Sequence, residues 1–357
     1  MIKILRLLLY PFSILYGLLI HLRNWLFDNK LLHVFQPKVK TICVGNLSTG
    51  GTGKTPHIEY LIRLIEEKYK VATLSRGYGR KTSDFRIATL SDNALTIGDE
   101  PTQYYQKFIN IIVAVDAKRR RGIKKLMVKF PALELILLDD AFQHRSVKAG
   151  LQILLTDYSN MYYDDRMLPA GNLREFKSGV QRADIIIVSK TPPIFSPIER
   201  RQILAKINPL PHQQVFFSFI KYHSFTHFFD KKVYLAPSFK EIIGKDTEVL
   251  VFAGIANPAL LEDFVRSMSK SYKMISFDDH HEFNNADLVK IKSEFDGLRS
   301  VKKIILTTEK DAMRLLHLNL SLVWSNLPVF FVSIAVQMHQ QDEKNFNQLI
   351  LNYVRTN

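Results

Sequence analysis

One cysteine is all that the 357 residues hold. An internal disulfide is therefore excluded, and the usage fits a reducing compartment. Cys43 lies in the apolar run VKTICVGN, which marks it as a buried strand residue rather than a reactive thiol. Also missing near the N-terminus is an apolar run of the ~20 residues that a bilayer-spanning helix needs. The stretch from Leu7 to Ile20 is shorter and contains Pro11, which is expected to break or kink it. No small-residue cleavage site follows, so a removed signal peptide is not expected. The chain has no short-period repeat, no segment that reads as disordered and no recognisable nucleic-acid-binding module.

What is abundant is positive charge. Lys and Arg number 49 against 34 Asp and Glu, a net charge of +15. That balance favours an anionic partner: nucleic acid, acidic lipid or polyphosphate. No module speaks for nucleic acid. Residues 1–30 are rich in Leu, Ile, Phe and Tyr, with Lys3, Arg6, Arg23 and Lys30 at the edges. Basic residues flanking an apolar helix suit one that lies in a membrane interface. Packing on the protein's own core and a single membrane span are the alternatives.

From Val39 onward, short apolar runs alternate with longer amphipathic ones. VKTICVGN, VATLS, NIIVAVDA, LELILLDD, LQILLTDY and ADIIIVSK read as strands buried on both faces. Their alternation with helices such as HIEYLIRLIEEKYK implies a parallel sheet with right-handed crossovers. A Pro-rich break, TPPIFSP, and an aromatic, alternating stretch at 208–229 follow. A second α/β unit then opens with EVLVFAGI. The expected fold class is α/β, a mostly parallel sheet of the P-loop type layered with helices, with a smaller second α/β domain. The expected division is an N-terminal membrane-interface helix (1–30), a core domain (31–210), a β linker or hairpin (211–235) and a C-terminal α/β domain (236–357).

The sharpest motif is NLSTGGTGKTP, placed where a strand ends and a helix opens. Its glycines let backbone N–H groups converge on phosphate oxygens, and the helix N-terminus adds positive potential. Ser48, Thr49, Gly50, Gly51, Thr52, Gly53, Lys54 and Thr55 form this P-loop, although Ser48 stands where the pattern begins with Gly. Lys54 would reach the β- and γ-phosphates, and Thr55 would ligate Mg²⁺. The strand LELILLDD ends in Asp139 and Asp140, placed to hold Mg²⁺ or its water. A nucleotide-driven switch is the competing reading of a P-loop. The guanine-reading N/T-K-x-D is not found at Ser189-Lys190-Thr191-Pro192, which favours ATP. Lys190 reads equally as a residue along the adenine or as a solvated loop lysine.

Several segments, in this order, resemble the lipid A 4'-kinase (tetraacyldisaccharide 4'-kinase) family across nearly the whole chain. They are VGNLSTGGTGKTP, LSRGYGR, GDEP, DDAFQHR, LPAGNLRE, FAGIANP, FDDHHEF and TTEKDA. Two departures stand out: Asn172 where the family is expected to carry Pro, and Ala141-Phe142 in place of Gly-Leu. The resemblance implies ATP-dependent phosphorylation of the 4'-hydroxyl of an acylated glucosamine disaccharide 1-phosphate, at the cytoplasmic face of the bacterial inner membrane. Attachment to that membrane surface would be peripheral or monotopic. By the same resemblance Asp99 is the candidate base, paired with His280 or with the adjacent His281. A hydroxyl that attacks phosphorus needs its proton taken, so a carboxylate or imidazole must lie in reach. The two residues come from different halves, so catalysis would require those halves to close. Glu100 and Glu175 are candidate metal or water ligands. Arg76, Arg80, Arg119 and Arg174 are candidate phosphate contacts, since a guanidinium grips phosphate oxygens with a planar fork. A membrane-bound P-loop ATPase or GTPase switch without a lipid acceptor, and a kinase for a non-lipid sugar, are the competing functions.

Overall fold

The computed structural model describes residues 9–244, 246–255, 258–279, 281–316, 318 and 322–356. Its frame is one mostly parallel 13-stranded sheet. The apolar runs form β1 (Lys40–Asn46), β2 (Val71–Ser75), β4 (Ile112–Val115), β5 (Leu135–Asp139), β6 (Leu151–Asp157) and β7 (Ile185–Ser189). These lie parallel in the order β7-β6-β1-β5-β2-β4, with β3 (Arg86–Ile87) antiparallel at the edge. The helices of this half are α1 (Tyr10–Asp28), α2 (Lys54–Ile65), α3 (Ala94–Ile97), α4 (Asp99–Lys107), α5 (Arg119–Lys129) and α6 (Pro197–Ile207). Beyond them come β8 (Gln214–His227), β9 (Val233–Leu235), α7 (Ala236–Ile243), β10 (Glu248–Ala253), α8 (Ala259–Met268), β11 (Tyr272–Ser276) and α9 (Asn285–Asp296). β12 (Lys303–Thr308), α10 (Glu309–Leu315), α11 (Leu322–Ser325), β13 (Val329–Met338) and α12 (Gln340–Arg355) complete the chain.

Helices cover both faces of the first half, as continuous apolar strands require. Ile58, Leu61 and Ile62 of α2 pack on one face, and Ile123 and Leu126 of α5 on the other. Phe346, Ile350 and Val354 of α12 join α2, so the last helix of the expected 236–357 unit packs on the first half. Two further cores flank the sheet of the second half, one holding Phe252, Phe283 and Ile291, the other Phe225, Phe239 and Val265.

The stretch expected as a linker contains the longest of these strands. Residues 214–217 of β8 pair with β7, and residues 218–227 pair antiparallel with β13. β8 thus runs past the carboxyl ends of the first-half strands into the second half. There β13, β12, β10 and β11 are parallel to one another and opposed to β8. The carboxyl ends of the two half-sheets therefore face each other, the position where open α/β sheets bind ligands.

In α1, Pro11 occupies the first turn, where its missing N–H has no intrahelical partner to lose. It starts this helix instead of kinking it. No helix among the described residues is long and apolar enough to cross a membrane. The buried residues of α1 are Ser13 and Gly17. Ser13 Oγ accepts from the Ala170 N–H at 2.9 Å, Tyr16 donates to the Arg174 carbonyl at 3.0 Å, and a Cβ on Gly17 would lie 2.9 Å from Phe176. Phe12, Leu15, Leu18, Leu19, Leu22 and Trp25 remain exposed. The helix docks by its small and polar side and turns its apolar side outward.

Candidate active site

The P-loop leaves β1 at Asn46 and enters α2 at Lys54. Gly50 (φ 104°) and Gly53 (φ 85°) adopt the left-handed region that side chains disfavour. Ser48 needs no such freedom, because it forms an antiparallel bridge with Leu173, while Thr49 donates to the Asn172 carbonyl at 2.7 Å. The substitution of Ser for the motif's first glycine is therefore harmless to the loop. Asn172 also has a reason: its N–H and its amide both donate to Asp165, at 3.2 and 3.1 Å, and proline has neither donor. Phe142 fills the space beside Gly45, whose Cβ would meet it at 2.6 Å. Two P-loop carbonyls are tied down from outside. Ser189 donates to Thr52 O at 2.8 Å, and His57 Nδ1–H donates to Gly53 O at 2.6 Å while Nε2 accepts from Ser218. Burial pushes the His57 imidazole down to about 4, so it stays neutral in this role.

β5 lies beside β1 in a register that sets Asp139 opposite Val44. Asp139 is buried and accepts from Ser75 and Tyr104, both at 3.2 Å. Burial, with the charges of Glu100 and Asp140 nearby, pushes its carboxyl up to about 6. Asp140 follows in a left-handed conformation (φ 46°), which Asp tolerates better than most residues. It faces Lys54 at 3.6 Å and Arg174 at 3.1 Å. Burial opposes its charge, but these two cations hold its carboxyl below the ordinary value. Lys54 also donates to Asn46 at 3.4 Å. Lys54, Asp140, Arg174 and Asp139 thus converge at the mouth of the P-loop. Among the described residues no three His, Cys, Asp or Glu side chains form a ready metal cage. P-loop enzymes need none, since Mg²⁺ takes much of its shell from water and nucleotide phosphates. The crowding that raises Asp139 is what a divalent cation would relieve.

α4 carries Asp99 and Glu100 on its first turn. Gly98 makes that entry possible: its φ is 95°, and a Cβ there would sit 3.0 Å from the Gly77 backbone. Across the cleft, α10 presents Lys310 to Glu100 at 2.7 Å and Arg314 to Asp99 at 2.7 Å. Arg314 is nearly buried and also grips Asp311 and the Gly254 carbonyl. Burial opposes the Glu100 charge, but Lys310 holds its carboxyl below the ordinary value. Lys310 and Asp311, both within the segment TTEKDA, stand at this contact. Arg314 was not singled out from the sequence. Its one signal was the Asp311/Arg314 spacing of three on a helix.

His280 lies outside the described residues. His281 pairs with Asp287 at 2.9 Å and stacks on Phe277. Glu175 is fully buried, and its oxygens accept from Arg182 (2.8 Å), Gln143 (3.0 Å) and Asn24 of α1 (3.2 Å). Its charge is matched there, a setting suited to seating α1 more than to holding a metal. Arg119 is buried, donating to the carbonyls of Asp116 (2.7 Å) and Asp139 (3.0 Å), with Nε unpartnered. Burial pushes it down to about 10. It lines a cavity with Cys43, His144, Arg145 and Arg182. Burial and Arg119 push His144 down to about 4, while Arg145 pairs with Asp28 of α1. The Cys43 thiol is buried and pushed up to about 12, as a structural residue should be. Arg76 is exposed, and Arg80 is half-buried with Nη2 on the Asp84 carbonyl at 2.9 Å. Lys190, also left-handed (φ 59°), is paired with Asp157 at 2.7 Å instead of being solvated.

Comparison with known proteins finds relatives that match over nearly the whole chain. A family model described as tetraacyldisaccharide-1-P 4'-kinase matches residues 5–355. The tetraacyldisaccharide 4'-kinase of Bacteroides fragilis strain YCH46 is 44% identical over 351 residues, covering 98% of this chain and 93% of the relative. That of Flavobacterium johnsoniae is 44% identical over 355 residues, covering 99% of each. Among solved structures, LpxK from Aquifex aeolicus in complex with ATP superposes with a TM-score of 0.74 at 28% identity, covering 98% of this chain and 99% of that one.

Proposed function

The chain belongs to the tetraacyldisaccharide-1-P 4'-kinase family, and on that premise we propose how its residues move the γ-phosphate of ATP to the 4'-hydroxyl of a tetraacyldisaccharide 1-phosphate. The reaction is a step of lipid A biosynthesis and yields lipid IVA. One observation carries the assignment of roles: the P-loop mouth, with Lys54 beside Asp140 and Arg174, is joined to the helix that holds Asp99 and Glu100 through Asp139, which accepts from Tyr104 of that helix and feels the Glu100 charge.

Phosphoryl transfer is mostly positioning and charge neutralisation. The P-loop N–H groups cradle the phosphates, and Lys54 follows the γ-phosphate charge. Arg174 leaves Asp140 for a phosphate oxygen when nucleotide enters, and Arg76 and Arg80 add cationic grip at the same edge. Arg119 acts from beneath, holding the Asp139 carbonyl and lining the cavity beside α1. Thr55, Asp139 and Asp140 would hold Mg²⁺, with Glu100 behind them, and the ion supplies neutralisation of the phosphate oxygens. Asp99 takes the proton of the 4'-hydroxyl, oriented by Arg314, which already meets it from the second half, or by His280. His281 is the less suited partner, because Asp287 already engages it.

α1 supports a membrane setting. Its small side seats on the core and its leucines face out, the arrangement of a helix lying in an interface. Together with the +15 charge, this supports a position at the cytoplasmic face of the inner membrane, where an acylated and phosphorylated acceptor would be met. ATP turnover with and without tetraacyldisaccharide 1-phosphate tests the reading. Turnover that depends on the acceptor and labels it supports the kinase; equal hydrolysis in both arms would support a nucleotide switch.

A further inference from the structure

Behind the catalytic face, three helices share a buried ionic cluster that the reaction described above leaves unused. Glu59 of α2 is completely buried, and Glu309 of α10 is nearly so. Lys107 of α4 lies 2.9 Å from Glu59 and 2.6 Å from Glu309. The Gln103 amide, one turn earlier on α4, donates to the same two carboxylates at 2.6 and 3.0 Å. Arg63 completes the charge balance by pairing with Glu59 at 3.0 Å. α4 and α10 meet antiparallel, with contacts 99 to 314, 100 to 310, and 103 and 107 to 309. The helix bearing Asp99 is therefore tied at its far end to the second half through Glu309 and to the P-loop helix through Glu59.

We propose that Glu309 and Lys107 are positioning residues for phosphoryl transfer: they lock α4 between the P-loop helix and the C-terminal half, and so set where Asp99 stands relative to the γ-phosphate. The inference rests on Asp99 being the base. Small displacements of a reacting group are costly, of order a hundredfold in rate for ~1 Å.

The lock depends on pH. Burial pushes the Glu309 carboxyl up, to about 7; Lys107 opposes that rise and the Glu59 charge adds to it. The charged groups facing it are Lys107 from α4 and Glu59 and Arg63 from α2, with His223 of β8 beyond Lys107 and Arg63. On its own helix, Lys310 turns to Glu100 and Asp311 to Arg314. β13 carries no charged residue, and Lys303 of β12 is spent on the carbonyls of Phe295, Asp296 and Leu298. Below about 7 Glu309 is neutral and Lys107 is left to Glu59; above it the bridge closes.

The test is kcat against pH for the full-length enzyme and Glu309→Gln, with γ-labelled ATP and tetraacyldisaccharide 1-phosphate in detergent. Glu309→Gln holds the neutral state at every pH. The ratio of wild-type to variant kcat is expected near one on the acid side and to climb to about tenfold on the alkaline side, with KM for ATP unchanged. A ratio that is flat with pH overturns the inference. Lys107→Arg, which keeps the cation, is expected to outperform Lys107→Met; equal kcat in the two overturns it as well. Urea unfolding of each variant identifies any loss that is only loss of fold. If wild type labels no lipid, the kinase reading fails; if wild type and Asp99→Ala are equally active, the base assignment fails. Either outcome is distinct from a flat ratio.

Discussion

Replacing Asp139 by Asn should stabilise the empty enzyme while abolishing its reaction. Asp139 is buried, and its carboxyl is pushed from an ordinary 3.8 up to about 6 by burial and by the charges of Glu100 and Asp140. Across that window the native state holds a proton that the unfolded chain has released, so stability falls as pH rises from about 4 to about 6. Roughly two pH units at about 1.4 kcal/mol each make a cost of about 3 kcal/mol, carried in full above pH ~6. Asn removes the charge, and its amide oxygen can still accept from Ser75 and Tyr104. Urea unfolding without nucleotide should show Asp139→Asn more stable by about 3 kcal/mol near pH ~8 and by little near pH ~4. Adding Mg²⁺ and ATP should stabilise wild type and leave the variant nearly unmoved, because only a native state that binds ligand gains from it. A variant no more stable than wild type at the higher pH, or a difference that ignores pH, would refute the reasoning.

Other expectations concern the cleft and α1. Arg314→Met takes the guanidinium away from Asp99 and Asp311, both largely buried, and should cost about 3–5 kcal/mol of stability at neutral pH, with Arg314→Lys recovering part. The same urea titration reads it, and a loss below about 1 kcal/mol would mean that water replaces the guanidinium. Changing Leu15, Leu18 and Leu22 together to Glu should leave the fold intact, because all three are exposed. It should abolish flotation with anionic vesicles, since burying one leucine is worth about 1.5–3 kcal/mol; unchanged flotation would remove α1 from the membrane contact.

How much could be read in advance depended on how local the chemistry is. The P-loop is a run of adjacent residues, and the strand ending in Asp139 carries its own apolar signature, so both were legible. The parallel sheet followed from the same runs. The Arg314–Asp99 pair and the Glu59–Lys107–Glu309 cluster were not, because each joins residues some 50 to 215 positions apart, and no spacing rule reaches that far. Nor could sequence place α12 on the first half. Its apolar stripe at Phe346, Ile350 and Val354 announces a buried face but not what covers it. In α1 the apolar residues were obvious, yet the seat was made by Ser13, Tyr16 and Gly17, whose roles emerge only from their contacts. Glu175 stood in a motif beside Arg174 and read as a ligand; its three donors explain the acid differently.

The most direct test of the account is transfer of label from γ-labelled ATP to purified tetraacyldisaccharide 1-phosphate, comparing wild type with Lys54→Ala and Asp99→Ala. The account predicts labelled lipid with wild type and near-complete loss in both variants, Asp99→Ala retaining its ATP affinity. Hydrolysis of ATP by wild type with no label in the lipid, or full transfer by Asp99→Ala, would contradict it.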